Sequence, residues 1–226
     1  MKLDFNTVHK VIQSNKDLKN YYKWYLSHCL SLNAPYHNLN HTLGMMYHII
    51  CIYENSKIRS DYGFVLSEKD LYILLTSALF HDYNHSAGLC PDSINVETAK
   101  AGLEQCIKSF LVNDENTEKL IEICKSNIDA TQYPYVIDDS ELNIYQQILR
   151  ECDILVALYD DFFVHNIIGL GSEMHKADDL LEFMTGNMKF LQDAFCRIKL
   201  VYSLEIYNEE SDNFFTTVRN ILNVLK

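Results

Sequence analysis

The sequence contains few of the residues that end helices and form turns: seven glycines and three prolines in 226 positions. Sandwiches and barrels built from strands need frequent turns that depend on these residue types, so the composition disfavours an all-β fold. Apolar residues make up 48% of the chain and charged residues 22%, a balance typical of globular proteins with a buried core. We predict a single all-α domain over residues 1–226.

Basic residues are also scarce. The chain has 19 lysines and arginines against 31 aspartates and glutamates, a formal net charge of −12. Such a surface repels a polyphosphate backbone, and no run of basic residues offsets it, so we predict that the protein does not bind nucleic acid. A small anionic ligand is compatible with this charge, because a cation held in a pocket can reverse the local field.

Long apolar runs and paired cysteines are missing as well. No run approaches the roughly 18 residues of a membrane span, and the start "MKLDFNTVHK" lacks the apolar stretch of a secretory signal. The seven cysteines include no C-x-x-C pair and are odd in number, which predicts small, reduced core residues. These absences predict a cytoplasmic protein without a membrane partner, and they leave its oligomeric state open.

Apolar residues recur at helical spacing along most of the chain. In "SEKDLYILLTSALF" they follow the i, i+3, i+4, i+7 pattern behind Ser67 and Asp70, which match a capping box at a helix start. That helix is expected to run directly into His81 and Asp82. The other segments predicted as helices are 17–31, 38–55, 95–111, 115–126, 140–165, 173–195 and 212–225.

Two histidine pairs stand out. "YHNLNH" carries His37 and His41, and "LFHDYNH" carries His81 and His85, each pair four residues apart. Residues at this spacing share one face of a helix. Together with Asp82, which follows the first histidine of the second pair, they can supply imidazole and carboxylate ligands to a divalent metal such as Zn, Mn or Fe.

A metal site of this kind needs a fourth ligand, for which Asp153 in "QQILRECDILVALYDDF" is the best candidate. Leu149 and Val156 bracket it on the apolar stripe of a predicted helix. An ionised carboxylate there is costly unless it is paired or bound to a cation. Two explanations stay open at this point: a partner such as Arg150, or the metal.

The motifs "YHNLNH" and "LFHDYNH" and the later helical Asp153 resemble the HD superfamily of metal-dependent phosphohydrolases. They are most similar to the catalytic domain of class I cyclic-nucleotide phosphodiesterases, whose pattern is Y-H-N-x-x-H, then H-D-x-x-H, then a distant Asp. The segment "KFLQDAFCRI" adds a Q-x-x-F arrangement like that of these enzymes. The resemblance covers about residues 34–198 and implies a compact multi-helix domain of the HD type.

The resemblance also implies roles for single residues. Four of them would hold the first of two divalent metal ions, Zn, Mn, Fe or Mg: His41, His81, Asp82 and Asp153. Asp82 would be shared with the second ion, and a hydroxide between the ions would attack the phosphate. His37 would protonate the leaving O3′, and His85 would orient the hydroxide or a phosphate oxygen. The product would be a 5′-nucleoside monophosphate.

Substrate contacts are implied at three positions. The amide of Gln192 would bond the edge of a purine, and the ring of Phe195 would stack on its face. Tyr36 would touch the substrate or pack in the core. This chain departs from the family pattern after Asp153, where the expected Asn is missing and the interval to Gln192 is short.

Two other functions use the same ligands. One is a general HD-type nucleotidase or a pyrophosphohydrolase of the ppGpp type, and the other is a protein that sequesters a nucleotide without turnover. The sequence does not specify the base, nor whether a cyclic substrate is a mononucleotide or an oligonucleotide. Three polar residues near the motifs are predicted to have structural roles: His48 as a hydrogen-bonded core residue, and Asn95 and Glu97 on the helix after the second pair.

Overall fold

The computed structural model describes residues 3–112, 114–158, 165–174 and 180–225. These residues form ten α-helices and no strand, which confirms the predicted all-α class. In chain order the helices are α1 Phe5–Ser14, α2 Lys16–His28, α3 Leu39–Ile58, α4 Glu68–Phe80, α5 Asp92–Phe110, α6 Glu115–Asp129, α7 Ile144–Leu155, α8 Leu170–Glu173, α9 Leu180–Phe195 and α10 Val201–Leu225. None of the helices in the described ranges has both the length and the apolar character needed to cross a membrane.

Helix α4 lies at the centre of the fold, in contact with α2, α3, α5, α6 and α7. Every residue from Ile73 to Phe80 is buried, because the helix is surrounded on all sides. Full burial of one leucine side chain contributes about 1.5–3 kcal/mol, so packing fixes α4 firmly. The turn that directly follows this helix carries His81 and Asp82.

Side-chain caps fix where the two motif-bearing helices begin. The predicted capping box of α4 is present: Asp70 N donates to Ser67 Oγ at 3.2 Å, and Ser67 N donates to Asp70 Oδ2 at 2.8 Å. At the start of α3, Asn38 Oδ1 accepts from the backbone N–H of Asn40 at 2.9 Å and of His41 at 3.2 Å. The cap therefore places His41 in the first turn of α3.

Some helix boundaries differ from the prediction. Helix α7 ends at Leu155 and continues as a 3₁₀ turn to Leu158, and residues 159–164 of the predicted helix lie outside the described residues. Helix α10 begins at Val201, eleven residues before the predicted start at 212. The side chains of the polar run "NEESDN" within this helix mostly face solvent, while Tyr202, Ile206 and Phe214 keep a buried stripe along it.

Candidate metal centre

The four predicted metal ligands converge in space. His41 lies in the first turn of α3, His81 and Asp82 follow α4, and Asp153 lies in the last turn of α7. His41 Nε2 is 2.9 Å from Asp153 Oδ1, 3.2 Å from His81 Nε2 and 3.3 Å from Asp82 Oδ2. His81 Nε2 is 2.9 Å from Asp82 Oδ2 and 3.7 Å from Asp153 Oδ1. Ligand atoms of His41, His81 and Asp82 therefore lie close enough together to hold one metal ion, and Asp153 Oδ1 lies beside the two histidines.

This spacing fits a metal ion. Two atoms that each lie about 2.1 Å from one ion are roughly 3.0 to 3.4 Å apart in octahedral or tetrahedral geometry, and the distances among the donor atoms of His41, His81 and Asp82, 2.9 to 3.3 Å, lie close to that range. Asp82 Oδ2 is buried and makes no hydrogen bond of good geometry within the described chain. A buried carboxylate oxygen in this state is costly unless a cation neutralises it. The donor set of two imidazoles and two carboxylates suits Zn, Mn or Fe.

When the imidazole of His81 is neutral, its hydrogen bond selects the tautomer that a metal ligand requires. Its Nδ1 lies 2.8 Å from the carbonyl oxygen of Ala78. A carbonyl oxygen can only accept, so Nδ1 carries the hydrogen, and the neutral ring presents the Nε2 lone pair to the cluster. Histidine ligands in metal sites are commonly oriented by a hydrogen bond of this kind at the second ring nitrogen.

The electrostatics of the cluster favour positive charge. Burial lowers the pKa of His81, but the carboxylates of Asp82 and Asp153 more than offset this and raise the pKa to about 9. Burial raises the pKa of Asp82, whereas the neighbouring His81 and His37 lower it, and the net result is a pKa well below the usual range. The cluster therefore stabilises either a proton or a metal cation at this point.

Arg150 does not pair with Asp153. Its Nη1 donates to Asp139 Oδ1 at 2.8 Å, its Nε donates to the carbonyl oxygen of Ala130 at 2.8 Å, and its guanidinium covers the ring of Tyr135. The structure therefore removes the alternative that Arg150 satisfies the Asp153 carboxylate, which instead contacts His41.

A second cluster adjoins the first and includes a residue that sequence reasoning missed. Glu173, on the short helix α8, has one carboxylate oxygen 2.5 Å from His37 Nδ1. Its other oxygen accepts from the backbone N–H of Tyr36 at 2.6 Å and of His37 at 3.0 Å. Burial raises the pKa of Glu173, but the contacts with His37 outweigh burial and lower the pKa overall. No local motif links Glu173 to His37.

His85 belongs to this second cluster. Its ring stacks on that of His37, with centroids 3.6 Å apart and an interplanar angle of 29°. Its Nδ1 accepts from Ala87 N at 3.2 Å, and its Nε2 lies 2.9 Å from Asn95 Nδ2 and 3.7 Å from Asp92 Oδ1. Burial lowers the pKa of His85, but the carboxylates of Asp92, Asp82 and Glu173 together outweigh burial, so the net shift of the pKa is upward.

Of the three residues predicted to be structural, His48 and Glu97 do not line the cavity beside these clusters, whereas Asn95 does. His48 is fully buried, and its Nδ1 lies 2.9 Å from the hydroxyl of Tyr202. Glu97 is exposed and accepts from Lys100 Nζ at 2.7 Å. Asn95 accepts from Ser86 N at 3.0 Å and so holds the turn that carries His85.

Both clusters open into one cavity of about 1080 Å³. This volume accommodates a nucleotide-sized ligand. Tyr36 lines the cavity, with its ring centroid 5.0 Å from that of His41. Among the sequence-predicted site residues, those that line it are Tyr36, His37, His81, Asp82, His85 and Asp153.

The structure does not bring the predicted base-binding pair to this cavity. Gln192 is exposed on α9, and Phe195 is 4% exposed, with its ring 4.9 Å from that of Tyr207 in the core. Gln192 lies five residues after Asn187, and Phe195 lies five residues after Phe190, which corresponds to a rotation of about 140° around the helix axis. The side of α9 that faces the cavity therefore carries Asn187 and Phe190. Gln192 and Phe195 therefore do not line this cavity, and their role in base binding stays a prediction.

A comparison of the sequence with models of protein families gives no match, and a comparison with curated proteins gives no similar sequence. The relationship to HD phosphohydrolases therefore stays a proposal. It depends on the motif residues and on the geometry described above.

Proposed function

We propose that this protein is a metal-dependent phosphodiesterase of the HD type that hydrolyses a cyclic nucleotide to a 5′-nucleoside monophosphate in the cytoplasm. The observation that carries the proposal is the metal-capable group of His41, His81 and Asp82, with Asp153 beside it, next to a His37–Glu173 pair at one nucleotide-sized cavity. Motifs separated by more than a hundred residues thus meet in an arrangement that suits phosphate chemistry.

The metal would be held by four residues: His41, His81, Asp82 and Asp153. When bound, divalent cations supply Lewis-acid polarisation of a phosphate oxygen and lower the pKa of water towards neutrality. Two such ions are proposed, and Asp82 would contribute to holding both. The donor set fits Mn, Fe or Zn, and Mg fits less well because it prefers oxygen ligands.

His37 is the proposed general acid. Its Nδ1 contacts Glu173 Oε2, so Nε2 is the ring nitrogen that can give a proton to the departing O3′. Glu173 also binds two backbone N–H groups of the same loop and thereby fixes the ring in one orientation. His85 stacks on this ring and would orient a phosphate oxygen.

The charges of the cavity favour a phosphodiester over a polyphosphate. Its described lining residues include no lysine or arginine, and they include five carboxylates: Asp82, Asp92, Asp153, Glu173 and Glu182. A phosphodiester carries one negative charge per phosphate, whereas ppGpp and nucleoside triphosphates carry several, which proteins usually neutralise with basic side chains. This argues against the pyrophosphohydrolase alternative.

The test is product analysis by chromatography. Mn-loaded protein is incubated with cyclic mononucleotides, cyclic oligonucleotides, ppGpp and deoxynucleoside monophosphates. Asp82→Asn removes one ligand charge, and Glu97→Gln serves as the matched control because Glu97 is exposed and bound to Lys100. We expect linear 5′-monophosphates from a cyclic substrate with wild type and with Glu97→Gln, and none with Asp82→Asn.

Other products would favour one of the alternative functions. Release of nucleoside or pyrophosphate would favour the nucleotidase or pyrophosphohydrolase function. A nucleotide that binds tightly without turnover, with an affinity that His37→Ala leaves unchanged, would favour a sequestering protein.

A further inference from the structure

The cavity has a second region, built by helix α9 and the segment before α7. Asn187 and Phe190 line it from α9, where their i, i+3 spacing puts them on one face. Tyr133 and Tyr135 line it from the loop between α6 and α7. None of these four residues belongs to the metal cluster or to the His37–Glu173 pair.

Aromatic rings form the wall of this region. The rings of Tyr133 and Phe190 meet edge to face, with centroids 4.8 Å apart and an interplanar angle of 77°. Tyr133 also meets Tyr135 edge to face at 5.7 Å. Tyr133 is 51% exposed, so part of its ring is accessible to a ligand.

A short chain of contacts links the aromatic wall to the histidines. Tyr133 N donates to Asp92 Oδ2 at 2.6 Å, and Asp92 Oδ1 lies 3.7 Å from His85 Nε2. Asp92 thus contacts both the loop that carries Tyr133 and His85 of the second cluster. A ligand that fills the cavity would contact both regions at once.

We infer that Asn187, Phe190 and Tyr133 form a subsite for the flat base of the nucleotide. Aromatic rings bind the π face of any nucleobase, and a side-chain amide can form a hydrogen bond with its edge. The inference rests on the proposed function for the identity of the ligand. It assigns base recognition to the side of α9 opposite Gln192.

The test measures binding of ligands with and without a base. Isothermal titration of Mn-loaded protein uses 5′-AMP, 5′-GMP, 5′-CMP and 5′-UMP, and compares each with ribose 5-phosphate, which lacks the base. The variants are Asn187→Ala, Phe190→Ala, Phe190→Leu and Tyr133→Ala. Gln192→Ala is the matched control, because it removes an amide from the same helix outside the cavity.

We expect at least one monophosphate to bind about tenfold more tightly than ribose 5-phosphate, as stacking of one base implies. Phe190→Leu keeps an apolar side chain but removes the ring, and it should abolish most of this preference. Asn187→Ala should weaken binding of the preferred base and leave ribose 5-phosphate unchanged. Gln192→Ala should change neither.

Two results would overturn the subsite. One is equal binding of the monophosphates and ribose 5-phosphate, and the other is loss of base preference in Gln192→Ala with retention in Phe190→Leu. Mn titration of the same samples separates this from failure of the proposed function: if the wild type binds neither Mn nor ribose 5-phosphate, the phosphodiesterase assignment fails first and the subsite with it.

Discussion

Glu173 lies 136 positions after His37 in the sequence, and its carboxylate oxygen Oε2 lies 2.5 Å from His37 Nδ1. The same side chain accepts two backbone N–H groups from the loop that precedes α3. The approach is tight, since a Cβ added at Gly169 would lie 2.4 Å from the carbonyl oxygen of Pro35. The buried Glu173 of helix α8 thus holds the ring of the proposed general acid in place.

Replacing Glu173 tests whether it orients His37 for catalysis. In Glu173→Gln an amide faces His37 Nδ1 and the carboxylate charge is lost, so we expect kcat to fall about 100-fold, the scale of general acid catalysis, with little change in KM. The measurement is steady-state hydrolysis of the preferred cyclic nucleotide as a function of pH, with Ser172→Ala as control. An unchanged kcat and pH profile would assign Glu173 to folding alone.

The proposed metal-binding residues can be tested through the stability that a bound metal confers on the folded protein. A metal that binds only the folded state, at 100 times its Kd, stabilises it by about 2.7 kcal/mol, so Mn should raise the Tm of the wild type and EDTA should reverse the increase. Asp153→Asn should remove most of this effect, because it deletes one of two carboxylate charges. Asp193→Asn, exposed on α9, should respond like the wild type. An equal Tm increase in all three proteins would place the metal elsewhere.

His48 gives a prediction for pH and stability that is independent of the metal. Burial lowers the pKa of His48 to about 3, whereas the unfolded value is about 6.5. Below pH 6.5 the unfolded chain therefore binds a proton that the folded protein does not. The contribution of His48 to the free energy of unfolding is fully present above pH 6.5. It decreases as the pH falls, by about 2 kcal/mol at pH 5.

Urea unfolding of wild type and His48→Gln at pH 7 and pH 5 checks this. The variant should lose less stability than the wild type between the two values, because glutamine does not titrate. A difference between the two proteins that stays constant over this pH range would contradict the buried neutral histidine.

Replacing either of two glycines by alanine should change the stability of the protein, in opposite directions at the two positions. A Cβ at Gly102 would lie 2.3 Å from a ring carbon of Tyr83, between Asp82 and His85, whereas a Cβ at Gly186 on α9 would meet nothing within 4 Å. Overpacking costs about 1–3 kcal/mol, so Gly102→Ala should destabilise the fold and weaken Mn binding. Gly186→Ala should stabilise α9 by about 0.5–1 kcal/mol. Thermal unfolding and Mn titration measure both, and similar stability changes in the two variants would contradict the packing described at Tyr83.

Local patterns in the sequence anticipated much of the fold. The capping box at Ser67 and Asp70, the apolar run of α4 and the scarcity of glycine and proline are short-range features, and short-range rules describe them well. The ligand candidates were found because His41, His81 and Asp82 belong to spaced motifs. Asp153 was found because a carboxylate on an apolar stripe is costly without a partner.

The sequence by itself determined the helical class and the residue types available for a metal. Only the tertiary structure decided which of them meet: that Asp153 contacts His41 and not Arg150, that Glu173 braces His37, and that α9 turns Phe190 towards the cavity and Phe195 into the core. The reason is physical. Helix propensity and capping act over a few residues, whereas the rotation of a helix and the partner of a buried carboxylate depend on packing between segments far apart in the chain.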